Sequence, residues 1–470
     1  MKAEKEIKEL AEGRLGPLLL KYSWPALIAM TLNALYSVVD RVFIGQGCGV
    51  DAMAGLQLAM PVMMLFGAFG VFIGAGHSAV LSIKLGEGDR ITCEKILGQL
   101  IAFKFAFFFV LPPLVFFNLD TVLSWCGADK VTPGAFAAAK EYLKLVLFSH
   151  LFSHLAFGLS AAVRSEGGAV KSMMSMIVGF GLNLVLDPIF IFGFNFGIAG
   201  AAWATNIAMF CSCLWAAKYY LKHETVVRLR FGRIRFYRGL LLKPAAIGLA
   251  PFLQQLMSSL IVAALAYAFT YWMPDEQSRT DQIASLGVFN AALILVFMPM
   301  LGCQQGLQPI FGYNWGARNF RRVLGTLNTG FWVTSALTVF AWVVQVVPPF
   351  PELIARMFVS GDNPRLIAIC AHDLRLSNCM IWCISINVLA TTFFQSIGKP
   401  RISILLSMLR QGIVLLPIVI VLPFFMEDKV TAIWLSMPIS DVLCNLVTIY
   451  PLLLHAKFLS RIRDKKKSRP

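Results

Sequence analysis

Twelve stretches of mostly apolar residues, each long enough to cross a membrane as a helix, follow one another along this chain. About 20 apolar residues in helical conformation span the roughly 30 Å of hydrocarbon in a bilayer. Clusters of Pro, Gly and charged residues separate the stretches, which we place at 17–45, 52–85, 95–118, 136–163, 169–194, 198–221, 244–272, 283–313, 322–347, 366–396, 402–425 and 430–456. Because lipid offers no partner to an unpaired backbone group, we expect an all-α integral membrane protein without a large soluble domain.

The composition agrees with this interpretation and restricts the class of protein further. Of the 470 residues, 58% are hydrophobic and 14% are charged, and the mean hydropathy is +0.71. The net charge of +16 comes mainly from loops and tails between the apolar stretches, so it indicates contact with membrane lipid and argues against nucleic-acid binding. The ten cysteines are scattered and form no CxxC pair. We therefore expect neither a metal site nor a cofactor.

The distribution of Lys and Arg predicts the orientation of the chain in the membrane. If the N-terminus is cytoplasmic, most basic residues outside the apolar stretches fall on the cytoplasmic side, with dense groups in the central loop and the C-terminal tail. The positive-inside rule then places both termini in the cytoplasm. The charged N-terminus lacks the apolar core of a cleavable signal peptide. The cytoplasmic segments are predicted at 1–16, 222–243 and 457–470.

The chain also contains an internal duplication. Residues 53–89 align with residues 283–319 at a constant offset of 230, so that Gly86 coincides with Gly316. Each half holds six spans, and because six is even both halves have the same orientation. We expect two lobes related by a pseudo-twofold axis along the membrane normal, which suits a transporter that works by alternating access around a site near the midplane. The lobes are predicted at 17–221 and 244–456.

Two aspartates lie inside the predicted spans of the first lobe. An ionisable residue in hydrocarbon costs at least about 2.5 to 3.5 kcal/mol, so each one indicates a function. Asp40 lies near the outer end of span 1, and Asp187 and Thr205 lie equally far from the turn FGFNFG, hence at similar depth on spans 5 and 6. Tyr36 and Asn183 lie one turn from the two acids on the same helix faces. These five groups predict a site for Na⁺, or a pair of acids that share a proton.

Arg41 directly follows Asp40 and offers a simpler explanation for the acid, a local ion pair. Adjacent helical positions point about 100° apart, which disfavours such a pair. We expect Arg41 to reach the outer interface.

The second lobe carries a different set of polar residues. Asp441 is the one carboxylate that we place deep in its spans, and Gln254, Gln255 and Gln305 supply uncharged hydrogen-bonding groups on spans 7 and 8. We predict that these four side chains line the substrate path. Two histidines of span 4, in KLVLFSHLFSHLAF, have the spacing of a metal pair, but no glutamate separates them and no third ligand is evident.

The ordered motifs of the chain resemble those of a known transporter family. YSVVDRVFIGQG, LNLVLDPIFIFGFNFGIAGAAWAT and GLQPIFGYNWGA, set in two halves of six spans, resemble the MATE (multidrug and toxic compound extrusion) transporters, most closely their bacterial MepA-like branch. The resemblance covers nearly the whole chain. It implies a V-shaped pair of lobes in the bacterial cytoplasmic membrane and cation-coupled export of amphipathic, usually cationic compounds.

The resemblance also implies roles for individual residues. Pro25 resembles the proline at which the first helix bends in some members. The NorM-like branch carries further acids in helices 7 and 10, whereas the corresponding stretches here, APFLQQLMSSL and MIWCISINVLATTFFQ, contain none. Coupling is therefore expected in the first lobe alone. The N-lobe cation site of prokaryotic members falls on Tyr36, Asp40, Asn183, Asp187 and Thr205.

These observations together predict a secondary antiporter, not an enzyme. We expect a monomer that exports amphipathic small molecules in exchange for H⁺ or Na⁺. A flippase for a lipid-linked or polyprenyl precursor is an alternative, although such proteins commonly carry additional helices or strongly cationic cavities. A membrane-embedded enzyme would need a nucleophile or metal motif such as HExxH or GxSxG, and the sequence has neither.

Overall fold

The computed structural model describes residues 2–126, 132–221, 225–359 and 363–467, and within these ranges the protein is helical without a β-strand. The predicted all-α class and the twelve spans are confirmed. Residues 222–224 of the predicted linker and 468–470 of the predicted tail lie outside the described ranges, and the lobe boundaries at 17–221 and 244–456 stay predictions. Helices 1 to 12 are Leu15–Gly49, Asp51–Gly86, Arg90–Phe117, Pro133–Ser165, Ala169–Gly193, Gly197–Leu221, Arg238–Trp272, Glu276–Gly316, Phe320–Val346, Pro364–Ser396, Pro400–Phe425 and Lys429–Arg461.

Local signals set where several helices begin and end. Gly49 separates helices 1 and 2 with a φ of +81°, a backbone conformation that glycine adopts without steric cost. The Asp89 carboxylate caps helix 3 by accepting a hydrogen bond from the Thr92 backbone N–H at 3.0 Å. Helix 1 runs past its predicted end at residue 45, and helix 8 begins at Glu276 instead of residue 283. Polar residues extend these helices beyond the apolar runs from which the spans were predicted.

Helices 5 and 11, which occupy equivalent places in the two halves of the chain, each contain a π-helical segment. In helix 5 it covers Ile189–Gly193 and follows Pro188 directly. In helix 11 it covers Leu409–Leu415 and precedes Pro417. Such segments often mark functional sites because they displace side chains from regular helical positions.

The packing of the two lobes differs between the ends of the bundle. The start of helix 1 and the end of helix 12 lie at one end, called here the inner end. Towards the outer end each lobe has its own apolar core, one around Tyr142 and the other around Trp434. At the inner end one core combines Tyr22 of helix 1 with Phe311 and Phe393 of the second lobe, and another joins Tyr220 of helix 6 with Ile247 of helix 7. The lobes are therefore joined at the inner end and packed separately towards the outer end.

The duplicated glycines lie at this inner contact. A Cβ on Gly86 would collide with the carbonyl oxygen of Tyr313, and a Cβ on Gly316 would collide with that of Ile83. Helices 2 and 8 thus approach each other closely at two repeat-related positions, which only a residue without a side chain permits.

Candidate functional site

The two aspartates of the first lobe lie together in its interior. Asp40 projects from helix 1 and is 8% exposed, and Asp187, in the last turn of helix 5 before its π-helical segment, has no exposed surface. Their carboxyl groups interact electrostatically with each other. Helices 1 and 5 are distant in sequence, so it is the packing of the lobe that brings the two acids together.

Asn183 and Thr205 link the acid pair to helix 6. The Asn183 amide donates to Asp187 Oδ1 at 3.1 Å and to Thr205 Oγ1 at 3.3 Å. Asn183 is fully buried and Thr205 is 7% exposed. One amide thus fixes the positions of a carboxylate on its own helix and a hydroxyl on the neighbouring helix.

Two tyrosines complete the surroundings of the acids. Tyr36 stacks on Phe180 with ring centroids 5.6 Å apart. Tyr142 of helix 4 interacts electrostatically with Asp40, Asp187 and Tyr36. The site predicted from the sequence did not include this tyrosine. The spacing along the sequence could have indicated Tyr142. It lies nine residues after the start of helix 4 at Pro133, and Asp187 and Thr205 each lie nine residues from the centre of the turn FGFNFG, so all three are at similar depth.

Three oxygen atoms of this cluster have no hydrogen-bond partner among the described residues: Asp40 Oδ1, Asp187 Oδ2 and Asn183 Oδ1. A buried acceptor without a partner costs about 1–3 kcal/mol, and more if it is charged. Oxygen ligands suit a hard cation, and a proton on one carboxyl lets it donate to the other. The donor set therefore fits either a proton or a small hard cation.

Comparisons with known proteins identify the family. The MatE family model matches residues 25–189 and 256–421. The chain belongs to the MatE family. It is 23% identical over 434 residues to the multidrug export protein MepA of Staphylococcus haemolyticus (strain JCSC1435), an alignment that covers 92% of each chain. The resemblance inferred from the motifs is confirmed.

Solved structures of MATE transporters share the fold of this MatE protein. A crystal structure of MATE in complex with MaL6 matches it with a TM-score of 0.89 at 21% identity, over 96% of this chain and 99% of the other. An outward-facing multidrug resistance MATE family transporter of the MOP superfamily matches with a TM-score of 0.88 at 21% identity, over 96% and 98% of the two chains. These matches support the two-lobed architecture of twelve helices.

The remaining residues predicted in the first lobe of the MatE protein contribute no side-chain oxygen to the acid cluster. Pro25 lies within the inner part of helix 1. The Arg41 side chain is directed to helix 2, where its guanidinium lies 4.0 Å from Met60 Sδ. His150 and His154 pack among aromatic rings, including Phe66 at 4.6 Å from the His150 ring. No group of three metal-ligating side chains occurs among the described His, Cys, Asp and Glu residues.

The residues predicted to line the substrate path of the second lobe are in three different places. Gln254 lines a narrow pocket inside that lobe. Gln255 is exposed on helix 7. Gln305 accepts a hydrogen bond from Arg164 of the first lobe, so in this conformation it is part of the inner contact between lobes. Asp441 is 3% exposed and accepts a hydrogen bond from Arg410 Nε at 2.7 Å.

One expectation about the second lobe needs correction. Asp441 was taken as the one carboxylate deep in its spans, but Asp373 is also buried, at 2% exposure, within helix 10. Its carboxylate accepts a hydrogen bond from Ser285 Oγ of helix 8 at 2.6 Å. Asp373 was overlooked because it lies near the outer end of its helix, in the polar run AHDLRLSN, outside the stretch compared with the family.

Proposed function

We propose that this MatE-family protein is a secondary antiporter that exports amphipathic, mainly cationic compounds in exchange for H⁺ or Na⁺ by alternating access. We further propose that it acts in the bacterial cytoplasmic membrane with both termini in the cytoplasm. The observation that carries the proposal is the buried acid pair with its three unpartnered oxygen atoms. The relation to a multidrug export protein supports export of small molecules.

Both coupling ions would use the same atoms. If one carboxyl group is protonated, it can donate a hydrogen bond to the other. Protonation also removes the repulsion between two carboxylates in a medium of low dielectric constant. A sodium ion would instead be held by both carboxylates and Asn183 Oδ1, with the Thr205 hydroxyl as a further oxygen ligand. In either scheme the bound ion reduces the negative charge of the site, and this weakens its attraction for a cationic substrate.

The lobe packing supports the order of events. Because the lobes are joined at the inner end and packed separately towards the outer end, we propose that ions reach the acid pair from the outer side in this conformation. The return step would separate the inner contact formed by Gly86, Gly316 and the Arg164–Gln305 hydrogen bond. Ion binding favours that return by the difference in its affinity for the two conformations.

The test is transport of a fluorescent cation in proteoliposomes under an imposed Na⁺ or pH gradient. We expect Asp40→Asn and Asp187→Asn each to lower gradient-driven export at least tenfold, and the gradient that drives the wild-type protein identifies the ion. Asp120→Asn is the matched control, since this acid is 67% exposed at the outer end and pairs with Lys140. Full export by both site variants would refute the coupling site.

A further inference from the structure

The second lobe contains a cation deep in its interior that the proposed coupling mechanism does not use. Arg410 lies in the π-helical segment of helix 11, about ten residues or roughly 15 Å from the inner start of that helix. An arginine at such a depth costs about 2.5–3.5 kcal/mol or more, so its position indicates a function.

Arg410 is held in place by contacts with helices 8 and 12. Asp441 of helix 12 accepts from Nε at 2.7 Å, and Ser440 Oγ donates to the Arg410 backbone carbonyl at 2.9 Å. The guanidinium lies over the Phe297 ring at 5.5 Å. These contacts orient the planar group, and within the part of the chain that the structure describes its two terminal amino groups have no protein acceptor. Arg410 also lines the narrow pocket of the second lobe.

The neighbouring side chains add hydrogen-bond donors to the same pocket. The Ser258 hydroxyl has two acceptors at 3.0 Å, Gln411 Oε1 and the Gln254 backbone carbonyl, and when it donates to Gln411 the amide nitrogen of Gln411 remains a donor. The Thr391 hydroxyl also lines the pocket, is 8% exposed, and lacks a partner among the described residues. Asp441, the only carboxylate in contact with Arg410 in the described chain, lies behind it and is nearly inaccessible.

The two lobes therefore differ in the charge that they present. Helix 5 of the first lobe carries Asp187 beside its π-helical segment, whereas helix 11 of the second lobe carries Arg410 within its own. Among the described residues, the acid cluster of the first lobe has unpartnered oxygen acceptors, and the pocket of the second lobe has the unpartnered Thr391 hydroxyl beside Arg410. A molecule with a cationic part and an anionic part would match both.

We propose that the pocket formed by Arg410, Gln411 and Thr391 binds the carboxylate of an amphipathic substrate. Arginine presents two parallel N–H donors that match the two oxygens of a carboxylate. The pocket is narrow, so it would take this end group and leave the apolar part of the substrate outside it. This inference rests on the proposed export function and specifies the substrate class as compounds that carry a carboxylate, zwitterions among them.

The test compares two dyes that differ only at this group. Rhodamine 110 carries a free carboxylate, and rhodamine 123 is its methyl ester. Binding of each dye to purified protein in nanodiscs, without any ion gradient, is measured by fluorescence polarisation. We expect the double variant Arg410→Gln/Asp441→Asn, which removes both charges and leaves no unpaired carboxylate, to lose at least tenfold in affinity for rhodamine 110 and less than twofold for rhodamine 123.

A second variant keeps the test decisive if the first does not fold. Gln411→Glu preserves the shape of the side chain and an acceptor for Ser258, but it places a negative charge beside the pocket. It should weaken binding of rhodamine 110 several-fold and should not weaken binding of rhodamine 123, which carries a positive charge and no carboxylate. Arg375→Gln/Glu352→Gln is the control, an ion pair of the same lobe remote from this pocket. Equal effects on both dyes, or none, would overturn the proposal.

The outcomes separate this inference from the proposed antiport. If the dyes respond equally while the Asp40 and Asp187 variants abolish gradient-driven export, the carboxylate site fails and the antiporter stands. If the Arg410 variants discriminate between the dyes while the aspartate variants export normally, the coupling site fails and the carboxylate site stands.

Discussion

Glu166, between helices 4 and 5 at the inner end, is expected to make the stability of the fold depend on pH. Its side chain has no exposed surface. One oxygen accepts from the Tyr220 hydroxyl at 3.0 Å, and the other accepts from the backbone N–H groups of Val226 and Val227 at 3.2 Å. Glu166 thereby fastens the described part of the loop between the lobes to the first lobe. Burial raises the pKa of Glu166 from 4.5 to about 8.

The direction and size of the effect follow from that pKa. Between pH 4.5 and 8 the unfolded chain has lost the Glu166 proton while the folded protein keeps it, so folding becomes less favourable as the pH rises. Each pH unit in this window costs about 1.4 kcal/mol, which gives a total on the order of 5 kcal/mol over the 3.5 units between 4.5 and 8. The contribution is fully present below pH 4.5 and lost above pH 8, where the dependence levels off.

Glu166→Gln isolates this contribution, because glutamine imitates the protonated acid. Its carbonyl oxygen can accept from the two backbone N–H groups, and its amide can donate to the Tyr220 oxygen. We expect the variant to match the wild type near pH 5 and to exceed it by several kcal/mol at pH 8, measured by reversible chemical denaturation in mixed micelles. Glu87→Gln is the control, since its carboxylate is 38% exposed in an ion pair with Lys84. Parallel pH profiles for wild type and Glu166→Gln would refute the reasoning.

Two further predictions concern the coupling site and the inner contact. Thr205→Val removes the acceptor of the 3.3 Å hydrogen bond from Asn183, so the apparent ion affinity in proteoliposomes should fall several-fold. Thr205→Ser keeps the hydroxyl and should restore the affinity. An unchanged affinity in the valine variant would contradict a role for this hydroxyl. Gly316→Leu should force helix 8 away from Ile83 and open the inner core, so that a membrane-impermeant thiol reagent modifies Cys303, which has no exposed surface. Gly287→Leu, on the same helix with open space at its Cβ position, should leave Cys303 protected; equal labelling in both variants would show that the glycine contact does not hold the lobes together.

The sequence determined the architecture because membrane insertion imposes length and polarity rules that act within each helix. Twelve apolar runs specified twelve helices, and an even number of spans in each half fixed their relative orientation. The same rules marked Asp40 and Asp187 as exceptional, since a charge in hydrocarbon is costly wherever the helix packs. Depth along the two helices joined by a short turn was enough to bring Asn183, Asp187 and Thr205 into one expected group.

The tertiary structure decided what depends on how the helices rotate and pack. Tyr142 belongs beside the acids only because helix 4 turns that face towards helices 1 and 5. Gln305 forms a contact between lobes, and Asp441 lies behind an arginine, because each position is set by a residue from a distant part of the chain. Hydropathy records how deep a side chain lies in the membrane and carries no information about its direction around the helix axis. For that reason the sequence could name the charged residues of the second lobe, and only the fold showed that Arg410 pairs with Asp441 and lines the pocket.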